Sequence, residues 1–126
     1  MSLTGFIQRP DGAPLGSEEE VIRQLSAHFP GVEFTYEAEA PAGSIEARKN
    51  RSLFMRLWLH FLGWEVPYPR HYGVLQNPAG WAIQFYFVAQ SAVPWVQATS
   101  YGMTAGLDEI FERLRQATGW ETHYPP

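Results

Sequence analysis

The chain has 126 residues, 45% of them apolar and only 17% charged, so it is expected to fold as one globular domain with a real core rather than stay disordered. It contains no cysteine, which rules out disulfides, thiolate metal sites and a cysteine nucleophile. The net charge of −4 argues against nucleic acid as the main partner, because binding phosphates needs a dominant positive field.

In chain order, Thr4 to Arg9 reads as a short strand, and Pro10-Asp11-Gly12 supplies turn chemistry. Ser17 followed by Glu18, Glu19 and Glu20 marks a helix start, with a capping hydroxyl and three carboxylates at the positive end of the dipole. Val21, Ile22, Leu25 and Phe29 form its apolar stripe, and Pro30-Gly31 ends it. Val32, Phe34 and Tyr36 then alternate with polar residues, as a strand with one wet face does. After a loop from Ala38 to Gly43, a second helix is predicted from Ser44 to about Leu62. Its polar positions narrow to a stripe of Ser52, Arg56 and His60. A strand over Met55, Leu57, Leu59 and Phe61 competes with that helix.

Beyond the proline-bearing loop from Glu65 to Arg70, His71 to Gln76 reads as a strand and Asn77 to Gly80 as a tight turn. Trp81 to Gln90 is the clearest strand, with Ile83, Phe85 and Phe87 alternating with Gln84, Tyr86 and Val88. Trp95 to Tyr101 completes a three-strand antiparallel meander. A third helix follows at Leu107 to Thr118, stopped by Gly119, and Trp120 to Tyr124 forms a last short strand. The fold class expected from this order is α+β: a mixed, largely antiparallel sheet of five or six strands with three helices packed on it. The segments around 12–36 and 102–124 resemble each other, with Gly12/Gly16 echoed by Gly102/Gly106 and Gly31-Val32-Glu33 by Gly119-Trp120-Glu121. An internal duplication explains this; so does the shared grammar of any two turn–helix–strand units.

Charge is distributed unevenly along the chain. Residues 1–46 hold eight acids against Arg9 and Arg23, giving −6; residues 47–72 hold Arg48, Lys49, Arg51, Arg56 and Arg70 against Glu65, giving +4. No basic segment followed by an apolar run opens the chain, and the longest apolar stretch, Leu53 to Leu62, is too short to span a bilayer. A cytoplasmic location without membrane attachment is therefore expected. The four histidines show no metal-ligand spacing, and no serine lies in a nucleophile elbow, so neither a metal nor another cofactor is expected. The glycine turns before the terminal helices are poor phosphate cradles, because Glu18 to Glu20 and Asp108-Glu109 already occupy the anion positions.

Two constellations remain as candidate sites. The stiff 64–72 loop brings Tyr68, Arg70, His71 and Tyr72 together, with His60 as a further candidate. An Arg able to grip a carboxylate, a His able to move a proton and stacking tyrosines fit a small acidic ligand or substrate. The second is a sheet face of Gln84, Tyr86, Gln97, Thr99 and Tyr101, which can stack and hydrogen-bond without charge and so suits recognition of another protein. No nucleophile is paired with a base at recognisable spacing, so a non-catalytic protein-binding domain, using that face or the acidic helices, is the favoured reading over a small-ligand domain or enzyme. The aromatic content of 15% fits such a surface, and it fits a homodimer interface as well.

Overall fold

The computed structural model describes residues 2–38, 66–78, 80–102 and 106–124. Its elements are β1 (Ser2–Gln8), α1 (Glu18–His28), β2 (Glu33–Glu37), β3 (Arg70–Gln76), β4 (Trp81–Val88), β5 (Val96–Gly102), α2 (Leu107–Thr118) and β6 (Glu121–His123). The helix predicted at Ser44 to Leu62, its Ser52–Arg56–His60 stripe and the competing strand all lie outside the described residues.

Local chemistry sets the boundaries. The Ser17 hydroxyl accepts the Glu20 N–H at 3.2 Å, so α1 starts where its capping residue stands. At its other end α2 stops at Gly119, whose left-handed φ of 78° lets its N–H reach the Arg115 carbonyl at 2.7 Å. α2 lacks a side-chain cap at its start, since Gly106 occupies that position.

The strands form one six-stranded sheet in the order β2-β3-β4-β5-β1-β6, and every hydrogen-bonded neighbour pair is antiparallel. The expectation of a mixed sheet is corrected here. Counting alternations, β1 and β2 do run the same way, as the α1 crossover requires, but β5, β4 and β3 separate them. β5 and β6 likewise run the same way with β1 inserted between them. Each crossover lands beyond its immediate neighbour, so no parallel pair forms. Three strands are stepped over in one unit and one in the other, so the two similar sequence segments are not topological equivalents. Of the three expected helices, two are present among the described residues, and both lie on one face of the sheet.

That helical face holds the core. Val21 and Leu25 of α1 with its C-cap Phe29, and Leu107, Phe111 and Leu114 of α2, pack with Trp81, Ile83, Phe85 and Phe87 of β4 in a single cluster. Phe29 sits between the two helices and the sheet, with its ring centroid 5.0 Å from Phe85 and 5.5 Å from Phe111. Two glycines make room for aromatics on the same face. Opposite Phe34 the register places Gly73, where a Cβ would stand 2.5–2.8 Å from the ring; at Gly5 a Cβ would stand 2.8–2.9 Å from Tyr124. The turn after β1 is tied to the loop before β5 by Leu15 N–H to Val93 O and Val93 N–H to Gly16 O, both 2.8 Å.

Candidate functional site

Successive residues of a strand point to opposite sides of the sheet, and β3 begins at Arg70, one residue earlier than its sequence suggests. That residue decides the fate of the first candidate constellation. Arg70 and Tyr72 leave on the face turned away from the helices, here called the distal face. His71 leaves on the helical face. The proposed Arg70–His71 pairing on one ligand therefore does not assemble, and His60 lies outside the described residues.

On the helical face His71 is an anchor. Its Nε2 donates to Glu18 Oε1 at 2.7 Å, joining β3 to the first turn of α1. Its ring stacks on Phe87 at 4.9 Å and meets Tyr36 at 5.3 Å, and only 14% of the side chain is exposed.

On the distal face Arg70 is held on four sides. Its Nε donates to Glu37 Oε1 at 3.0 Å and its Nη1 to the Val66 carbonyl at 3.3 Å. The guanidinium carbon stands 4.3 Å from the Tyr68 ring centroid and 4.7 Å from that of Tyr86. The carboxylate of Glu37 neutralises it in a largely buried setting, so its charge is already matched. Tyr72 stacks on Tyr86 with centroids 4.8 Å apart and ring planes 26° from parallel. Burial pushes the Tyr86 hydroxyl up to about 12, with the neighbouring Tyr72 adding to the rise and Arg70 opposing it.

The second candidate constellation does assemble in space. Gln84 faces Thr99, Tyr86 faces Gln97, and Tyr101 follows two residues beyond Thr99, so all five side chains share the distal face. Tyr72 faces Tyr86 from the other side and Phe6 faces Gln97, which makes one continuous row across four strands. Exposure divides the set. Gln97 and Thr99 are buried, at 6% and 8%, and the Thr99 hydroxyl bonds that of Thr4 at 3.0 Å. Tyr72, Gln84 and Tyr86 are half-buried, and Tyr101 is 40% exposed. The two sets separated in the sequence thus merge: Tyr68, Arg70 and Tyr72 join Gln84, Tyr86 and Tyr101 on one surface, above a polar layer of Gln97 and Thr99.

No family model matches the chain, and neither a curated protein nor a solved structure matches it. Among the described residues, no group of three or more His, Asp or Glu side chains converges as a metal site, and no helix is long and apolar enough to cross a membrane.

A third locus escaped the sequence reading. Along the outer side of α2, Asp108, Phe111, Glu112 and Arg115 face Glu121 to Tyr124 across a cleft of about 260 Å³. The helical spacing of 108, 111, 112 and 115 marks one stripe, but only the placement of β6 beside it makes a groove.

Proposed function

We propose that this protein is a non-catalytic binding module that recognises another protein through the distal face of its sheet. Tyr72, Gln84, Tyr86 and Tyr101 are the contact residues, with Tyr68 and Arg70 fixing one end of the surface. The observation that carries this reading is the convergence of those side chains, drawn from three separate stretches of sequence, on one sheet face. Tyrosines offer large, rigid contact area at low entropic cost, and glutamine amides add adaptable hydrogen bonds. The charge state of the face favours a protein partner over a small acidic ligand. An acid approaching Arg70 would have to displace Glu37, and His71 is turned to the other side of the sheet.

The test places a photo-crosslinking amino acid at Gln84 and, as a control, at the exposed Arg113 of α2, followed by irradiation in extracts of the source cells. A defined protein adduct at position 84, absent at 113 and lost on Tyr72→Ala, supports the reading. An adduct joining two copies of this chain makes the partner a second protomer. Identical labelling at both positions, or none at 84, overturns it.

A further inference from the structure

The groove between α2 and β6 lies at the sheet edge opposite to the Arg70 end and is independent of the distal-face reading. One wall is a strand edge. Among the described residues β6 is paired on one side only, with β1, so its outward backbone groups from Glu121 to His123 are where an added strand would pair. The other wall is the stripe of α2 that carries Asp108, Glu112 and Arg115. Between them the floor is Phe111, 7% exposed, with Thr122, and the far end is closed by the Tyr124 ring seated over Gly5.

The charge of the groove is specific. Glu112 is gripped by Arg115 through both oxygens, with Nε donating at 3.0 Å, so this pair cancels locally. Glu121 stands 3.4 Å from His123 Nε2. Asp108 forms no ion pair among the described residues and lies near enough to Tyr124 to help burial raise that hydroxyl above its ordinary value. Asp108 and Glu112 against Arg115 leave a formal excess of one negative charge over an aromatic floor, and Glu121, turned to the distal side of the same edge by its pairing with Gln8, adds a further carboxylate there.

We infer that this groove docks an extended, lysine- or arginine-bearing segment of another protein, laid against the free edge of β6. The backbone of the segment continues the sheet, and its side chains on one side enter the cleft. A lysine stem covers Phe111 and Tyr124 while its ammonium meets Asp108, which matches a long amphipathic side chain better than a short one. Pro125 and Pro126 follow in the sequence and have no N–H to donate, which confines the added pairing to the stretch ending at Tyr124. The cleft is sized for the side chains of a strand and not for a folded domain.

The experiment titrates the full chain, labelled with ¹⁵N, with an acetylated, amidated hexapeptide of alternating valine and lysine. A peptide with glutamate in place of lysine is the control. The expected result is saturable binding with Kd below about 1 mM. Shifts should be confined to α2 and residues 121–124, and binding should weaken as salt rises. The doubly substituted Asp108→Asn, Glu121→Gln chain, with its fold verified by circular dichroism, should bind about fivefold more weakly. Tyr72→Ala should leave this binding unchanged, which separates the groove from the distal face. Equal binding of the glutamate peptide, shifts centred on Gln84 and Tyr86, or no saturation would each overturn the inference.

Discussion

Replacing Gly73 by alanine tests how tightly the edge of the sheet is packed. Gly73 is not among the glycines with positive φ, so backbone strain does not enter and the effect is purely steric. The new methyl would meet three carbons of the Phe34 ring at 2.5–2.8 Å, well inside van der Waals contact. Phe34 cannot simply retreat into the core, because its ring lies 6.3 Å from Phe85 and 6.2 Å from Phe87. It must tilt towards solvent and give up part of those contacts. Overpacking of this kind costs about 1–3 kcal/mol. Loss of glycine's freedom in the unfolded chain offsets about 0.4–1 kcal/mol of that. A net destabilisation of about 1–2 kcal/mol is expected, lowering Tm by roughly 4–8 °C. Urea denaturation of the wild type, Gly73→Ala, Phe34→Leu and the double variant closes a cycle. In the Phe34→Leu background the alanine should become neutral or slightly stabilising, giving a coupling of about 1–2 kcal/mol. A Gly73→Ala variant as stable as the wild type, or one with the same cost in both backgrounds, would refute the packing argument.

Three further outcomes follow from the same structure. His71→Ala removes the bond to Glu18 and the stack on Phe87, and should cost about 1.5–3 kcal/mol in urea denaturation. An undiminished cost in a Glu18→Ala background would show that the two side chains do not act together. Ser17→Ala removes the cap on Glu20 N–H and should cost about 1 kcal/mol, read as lost thermal stability with an unchanged distal face. Tyr86, raised to about 12 from its ordinary 10 in the folded protein, should hold its proton while exposed tyrosines ionise. Because its folded value is the higher one, its contribution to stability is complete below pH 10 and is lost as pH climbs from 10 towards 12. Stability curves should therefore fall more steeply over that range in the wild type than in Tyr86→Phe, and parallel curves would contradict the burial of this hydroxyl.

Much of the local structure was legible because its causes are local. Ser17 and the three glutamates announced α1, Gly119 announced the end of α2, and the alternation of Ile83, Phe85 and Phe87 identified both β4 and its buried side. The five-residue Gln/Tyr/Thr set was legible for the same reason, since period-two alternation fixes which residues share a face once a strand is recognised. The Arg70–His71 pairing failed on a single boundary. With the strand begun at His71, Arg70 belonged to the loop and no alternation applied. In the structure Arg70 pairs with Glu37 and Val88 as the first rung of β3, and the two side chains are sent to opposite faces.

By itself the sequence determined the type and approximate extent of the described elements, the single α+β core and which side of β4 is buried. These follow from capping, glycine stops and periodicity, which act over a few residues. Only the tertiary structure decided that β1 lies between β5 and β6, that all neighbouring strands are antiparallel, and that β2 lies at the opposite edge from the C-terminal strand. It also decided that Tyr68, Arg70 and Tyr72 share a surface with Tyr86, and that the stripe from Asp108 to Arg115 faces β6 across a groove. Strand order is set by which apolar faces can be covered together, and contacts such as Glu18 with His71 join residues far apart in the chain. No local periodicity records that choice.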